Sequence, residues 1–324
     1  MLDAVLRRGE TLEQAAPAAL RDVRKAPDQA LARAIAGEAL RWLTDLDALI
    51  DSATKNPLPE DAKPRTVLRL MLAQALRLET PPHAVIATGL PLLSGGPRRL
   101  AHGVFSTLMK REAALPDAPT LPERFAQAYP GMAEGLVQPP EVDLHVKDAG
   151  ETGQWQAKLG GVSLAPAHIR VPRGTPVEKL EGYKEGAWWV QDLAAQLPTH
   201  LLGAGEARNE RRHALDLCAA PGGKTMALAA NGWNVTALDI SKRRLGVLKE
   251  NLKRTGLKAS AVRADALTWE PKHQFDAILL DAPCTATGTC RRHPDVLHRI
   301  GPRQIAEMVE IQRALIERAV AWLK

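Results

Sequence analysis

The stretch from His213 to Thr225, HALDLCAAPGGKT, constrains this chain more than any other. It reads as a buried strand, Ala214 to Leu217, that breaks into a turn at Pro221, Gly222 and Gly223 and continues as a helix. Glycines let the backbone bend sharply and approach a ligand closely. The helix that follows directs its unpaired N–H groups at whatever lies there. GGKT resembles the end of a phosphate-binding loop, but that motif requires a glycine five positions before the final Gly-Lys. Cys218 occupies that position, so the phosphate-loop reading fails. What remains is a strand-turn-helix of the kind that binds S-adenosylmethionine through backbone groups and carboxylates.

The residues that follow support this. NVTALDI (234–240) is a second strand and ends in Asp239; SAVRADA (260–266) is a third and ends at Asp265. FDAILLDAPC (275–284) is a fourth, a near-continuous apolar run typical of a strand covered on both faces, and it carries Asp281. Between them SKRRLGVLKENLKRTG is an amphipathic helix, with Ser241 as N-cap and Gly256 as its stop. A helix from Pro302 to Leu323 comes last. Alternation of this kind predicts a parallel sheet with right-handed crossovers and ligands at the carboxyl ends of the strands. Each aspartate alone could be a turn carboxylate; three in succession behind a glycine turn point to a site. Asp239 lies about 15 residues past the glycine turn, near the roughly 20-residue offset at which a carboxylate reaches ribose hydroxyls. Asp265 is expected at the adenine amino group, and Asp281 where methyl donor and acceptor meet. In DAPCTATG (281–288), Cys284 follows a strand tip beside the cofactor, a poor place for an inert core thiol and a suitable one for a nucleophile. Cys218 reads as buried in the first strand, and Cys290 as structural or incidental.

Upstream, residues 1–130 read as helical. Leu31, Ile35, Ala39, Trp42, Leu46 and Leu49 fall on one stripe, and Val67, Leu70, Met71 and Leu78 repeat it. NPLPEDAKP (56–64) is a loop, and further helices are expected over 83–93 and 97–111. Residues 115–140 are proline-rich and read as a linker. VDLHVKD, HIRVPRG and GAWWVQD then read as strands of a small α/β module, whose Trp188 and Trp189 suit core packing better than base stacking. The domains expected are 1–130, a linker with a small module over 131–198, and a methyltransferase domain over 199–324. Apolar residues at 45% suffice for two cores. Three scattered cysteines form neither a disulfide framework nor a zinc pattern, so no metal is expected. Neither an apolar leader core nor an apolar run of spanning length is present, so a cytoplasmic protein without a membrane partner is expected. A net charge of +6 suits RNA, but many basic proteins bind none.

CAAPGGKT, ALDIS, DAPCTATG and RRHPD resemble the Sun-type (Fmu/RsmB) RNA cytosine carbon-5 methyltransferases. RWLTDLD and PPHAVIATG resemble helices of that family's NusB-like RNA-binding domain, so the resemblance covers nearly the whole chain. It implies an all-α NusB-like domain ahead of a Rossmann-like α/β methyltransferase domain, and a monomer acting on RNA, most often 16S ribosomal RNA. It implies that Cys218, Ala219, Ala220, Pro221, Gly222, Gly223, Lys224, Asp239, Asp265 and Asp281 hold S-adenosylmethionine. It also implies a mechanism in which one cysteine attacks carbon 6 of cytosine and activates carbon 5 toward the methyl group. The cysteine of DAPC, here Cys284, assists product release beside Asp281. Arg291, Arg292 and Arg303 are expected to face RNA, since a phosphate contact needs only charge and reach. The family's attacking cysteine lies in a Thr-Cys motif beyond the last helix, and no cysteine follows Cys290 here. The expectation is a truncated chain whose fourth strand forms an apolar sheet edge. Cys290 as a substitute nucleophile, a non-catalytic RNA-binding protein and a transfer RNA methyltransferase are the alternatives.

Overall fold

The computed structural model describes residues 1–207 and 210–324. They form two compact units, one of residues 1–139 and 285–304, the other of 140–284 and 305–324.

The first unit is helical: α1 (Leu2–Arg8), α2 (Leu12–Ala19), α3 (Ala26–Arg41), α4 (Leu43–Ser52), α5 (Lys63–Arg77), α6 (Pro82–Gly89), α7 (Gly95–Lys110), and the short α8 (Glu123–Ala128) and α9 (Met132–Gly135). Local sequence sets the starts. A capping box joins Thr11 and Gln14, and prolines occupy the first turns of α3, α5 and α6, where no N–H is needed. Helix α5 runs through the middle, burying Val67, Leu68, Met71 and Leu72 against Trp42, Leu46, Ile50 and Phe105. The predicted stripe holds at Ala39, Trp42 and Leu46, but Leu31 is half exposed, because the first turns of α3 stand outside the core and burial begins at Ala36. Gly89 lets α6 approach α5: a Cβ there would stand 2.6 Å from Cγ of Met71.

The proline-rich stretch expected to be a linker is partly packed. Leu121, Phe125 and Leu136 share a core with Cys290, Val296, Leu297 and Ile300. The order of elements puts 285–304 with the strands, yet this segment, with α14 (Val296–Arg299), is built into the helical unit. The buried Arg41 donates to the carbonyls of Leu136 (2.9 Å) and Arg291 (3.0 Å), and Arg124 donates to that of Leu297 (2.8 Å). Backbone carbonyls that would otherwise lack donors are thereby satisfied.

The second unit begins with the small module. Strands β1 (Val142–Val146), β2 (His168–Val171) and β3 (Trp188–Val190) form an antiparallel sheet in the order β2-β1-β3, accompanied by α10 (Thr152–Leu159) and α11 (Leu193–Leu202). Trp188 and Trp189 are both buried, with their ring N–H groups donating to Glu181 O (3.0 Å) and Gln191 Oε1 (2.7 Å), so neither is a stacking platform. An antiparallel pair of short strands, β4 (Glu206–Ala207) and β5 (Glu210–Arg211), precedes the parallel sheet. That sheet comprises β6 (His213–Leu217), β7 (Asn234–Asp239), β8 (Ser260–Arg263) and β9 (Ala277–Leu280) in the order β8-β7-β6-β9. It is flanked by α12 (Gly223–Ala230), α13 (Lys242–Thr255) and α15 (Pro302–Trp322). Ser241 caps α13 and left-handed Gly256 ends it, as its sequence predicts. The expected bare edge at β9 is covered at its start. Phe275 donates to Trp322 O (2.9 Å) and accepts from Lys324 N (3.0 Å), while α15 buries Leu315 and Trp322 against the sheet. Among the described residues no helix is long and apolar enough to cross a membrane.

Candidate active site

Strand β6 lies between β7 and β9, with Leu217 beside Leu238 and Leu280. Three strands therefore end side by side, and the loops that leave them diverge around a cavity of about 460 Å³. This is within the roughly 300–1,000 Å³ usual for small-molecule sites. Cys218, Asp239, Asp265, Asp281 and Cys284 all line it. Leu238, Ile240, Ala266, Leu267, Ile311 and Leu315 supply its apolar wall.

The glycine turn closes one side. Gly222 has φ 105°, a left-handed conformation, and a Cβ there would lie 2.9 Å from Cγ of Leu248. Ala219 and Ala220 are buried beneath the turn. Pro221 is exposed at its apex, and Gly223 opens α12. The turn is tied to the second strand through Asp239. The buried Asp239 carboxylate accepts from Ala220 N (3.1 Å) and Ser241 N (2.8 Å), and the Arg244 guanidinium lies 3.5 Å away while donating to Ala220 O. Asp265 caps its own loop by accepting from Leu267 N at 2.9 Å. Lys224, on the first turn of α12, sets its Nζ 2.5 Å from Oδ2 of Asp281.

The three thiols differ. Cys218 is not in the strand but just past it, half-buried, with φ 60°. Burial, helped by the carboxylates of Asp239, Asp281 and Asp216, pushes its thiol up to about 11. Cys290 is buried in the helical unit's core and is also pushed up to about 11, chiefly by burial. Both are protonated at neutral pH, so neither is a ready nucleophile. Cys284 is exposed at the cavity rim. Arg291, Arg292 and Arg303 are exposed but belong to residues 285–304 and do not line the cavity. Arg291 donates to Gln138 O at 3.1 Å.

Asp216 was not among the residues singled out from sequence. It sits in mid-β6 with no exposed surface, and its Oδ2 accepts from Thr225 Oγ1 at 2.6 Å. The signal was legible: a lone carboxylate inside an apolar strand of a covered sheet demands a partner. Arg244, Ile240 and Leu267 were likewise reachable, since they follow two of the strand-end aspartates within five residues.

The donor set fits S-adenosylmethionine. Carboxylates accept hydroxyl and amino hydrogens, apolar side chains face a purine, and nothing resembles a phosphate cradle. A larger cavity of about 690 Å³ in the helical unit, lined by Leu2, Ile35, Val67 and Met71 among others, has no comparable set of strand-end carboxylates.

Comparison with known proteins agrees. Residues 206–324 match the sequence model for the 16S rRNA methyltransferase RsmB/F, and residues 1–92 that of the NusB family. Ribosomal RNA small subunit methyltransferase B of Salmonella arizonae is 32% identical over 362 residues, covering 100% of this chain and 82% of the relative. Its counterpart in Citrobacter koseri is 33% identical with the same coverage. Two solved structures share the fold. The crystal structure of PH0851 matches with a TM-score of 0.67 at 22% identity, over 94% of this chain and 76% of that one. A methyltransferase homolog protein from Pyrococcus horikoshii matches with a TM-score of 0.51 at 23% identity, over 62% and 68%. A NusB-type helical region, a parallel sheet with a carboxylate-lined cavity at its strand ends and whole-length similarity to these enzymes thus converge: the chain belongs to the ribosomal RNA small subunit methyltransferase B (Sun-type, RsmB) family of S-adenosylmethionine-dependent RNA methyltransferases.

Proposed function

We propose that the cavity at the ends of β6 to β9 holds S-adenosylmethionine, and that the reaction is methylation of carbon 5 of a cytosine in 16S ribosomal RNA, by a monomer in the cytoplasm. The observation that carries this reading is Cys284: an exposed thiol on the rim of a cavity lined by three strand-end carboxylates. Carbon 5 of cytosine is a weak nucleophile that is activated through a cysteine adduct at carbon 6, and a thiol at this rim suits the release of that adduct after methyl transfer. Bound there, S-adenosylmethionine supplies an electrophilic methyl group. Asp239 is held in place by two backbone N–H groups to accept ribose hydroxyls, and Asp265 faces the adenine side. Residues 218–224 shape the turn beneath. Lys224 fixes the Asp281 carboxylate beside the position for the base. Arg291, Arg292 and Arg303 contact phosphates. The match to a 16S rRNA methyltransferase family and to ribosomal RNA small subunit methyltransferases motivates 16S RNA as substrate.

Cys284 acts in product release in this reading, and the attacking thiol is a second cysteine that the 324 residues do not contain. The 324-residue chain is therefore expected to bind S-adenosylmethionine weakly in calorimetry and to transfer no tritiated methyl group to 16S RNA. Robust transfer would overturn the missing nucleophile, transfer to a purine would overturn the cytosine assignment, and an absence of binding would overturn the site.

A further inference from the structure

We infer that Asp216 is a positioning residue for the methyl-donor turn, acting through Thr225 on Lys224. The inference rests on the reading of residues 218–224 as the cofactor turn. Asp216 is on the central strand, paired with Ala237 of β7 on one side and Leu279 of β9 on the other, and has no exposed surface. Its Oδ2 takes the Thr225 hydroxyl at 2.6 Å, while Oδ1 has no hydrogen-bond partner. A buried carboxylate with one hydrogen bond and an empty second oxygen is costly to ionise. The neutral acid suits this site, because an uncharged carboxyl left with one empty oxygen loses far less than an anion does. Burial, reinforced by the charges of Asp281 and Asp239 and opposed by Thr225 and Lys224, moves its pKa up to about 7.

The chain converts this state into geometry. Thr225 is buried on the first turn of α12, one residue past Lys224. Anchoring Thr225 to the central strand fixes the helix start from which Lys224 reaches Asp281. The neutral acid also leaves the Lys224 ammonium undivided. Once ionised, Asp216 competes with Asp281 for that charge and adds a third anion beside Asp239. The groups that act on it are Thr225 and Lys224 from α12, Asp239 from the end of β7, Asp281 just past the end of β9 and the Cys218 thiol just past β6, which stays protonated near neutrality. The turn is thus set below neutrality and loosened above it.

The test uses the 324-residue chain and calorimetric titration with S-adenosylhomocysteine from pH 6 to 9. Wild-type affinity is expected to fall about tenfold across this range. Asp216→Asn, which holds the shape without a titrating group, is expected to bind with a flat profile, and Thr225→Val to bind at least tenfold more weakly at pH 6. A wild-type profile retained in Asp216→Asn, or wild-type affinity in Thr225→Val, overturns the inference and leaves the assigned cofactor site standing. No binding by the wild-type chain at any pH overturns both. Should either variant fail to fold, carbon-13 NMR of the wild-type chain labelled at the aspartate carboxyls decides. One carboxyl titrating near neutrality is expected, and none between pH 6 and 8 overturns the inference.

Discussion

At the scale of single residues, the site sorts side chains by how much water they keep. Cys218 and Cys290 lose enough to remain thiols, whereas Cys284 is in solvent. The same sorting gives Asp216 a signature in stability. Its carboxyl is ordinary in the unfolded chain, near 3.8, and is pushed up to about 7 in the fold. Between these values the folded chain binds more protons than the unfolded one, so its contribution to stability falls as pH rises from about 4 to 7 and is flat above. Asp216→Asn is therefore expected to gain on the wild type over this interval, by up to about 4 kcal/mol at about 1.4 kcal/mol per pKa unit. Denaturant midpoints at pH 5 and pH 8 measure it, and a difference between the two proteins that does not change with pH refutes it. The three strand-end aspartates were legible in the sequence because each ends an apolar run beside turn residues. Asp216 carried a weaker signal, because within ALDL it looks like one polar step in a strand. Only the burial of both faces of β6 shows that it has no water to turn to.

At the scale of elements, the glycine turn is the part with least freedom. Gly222 adopts a left-handed φ, and its missing Cβ leaves room for Leu248. Gly222→Ala is expected to cost about 1–3 kcal/mol through backbone strain and crowding. It should also weaken S-adenosylhomocysteine binding more than tenfold, since Ala220, two residues before, supports Asp239. Thermal melts with calorimetry check both, and unchanged affinity at reduced stability would separate the turn from the ligand. Strand-helix alternation, caps and stops were readable over 213–284 and in the last helix because periodicity and punctuation are local. The packed state of 115–140 was not, because prolines advertise turns and conceal the partner. Leu121, Phe125 and Leu136 are buried against Val296, Leu297 and Ile300, more than 150 residues away, and no local pattern announces a contact at that separation.

At the scale of the whole molecule, two compact units imply two responses to ligand. A ligand that binds only the folded state stabilises it by about 2.7 kcal/mol at a hundredfold excess over Kd. S-Adenosylhomocysteine is expected to raise the melting transition of the unit holding the cavity and leave that of the helical unit in place. Scanning calorimetry with and without ligand tests this, and an equal shift of all the heat absorbed would mean the chain melts as one. The segment 285–304 adds a constraint of another kind. Its side chains complete a core with residues from 121–136, so the helical unit is finished by residues that leave the ribosome only after strands β6 to β9 have been made. Domains ordinarily fold as they emerge, N-terminal first. Here the first unit to be synthesised waits for a late segment, with Leu121, Phe125 and Leu136 uncovered meanwhile. The interval in which nascent chains need chaperoning is thus written into the order of synthesis, and a graft of residues 1–139 alone into another protein would carry that uncovered surface with it.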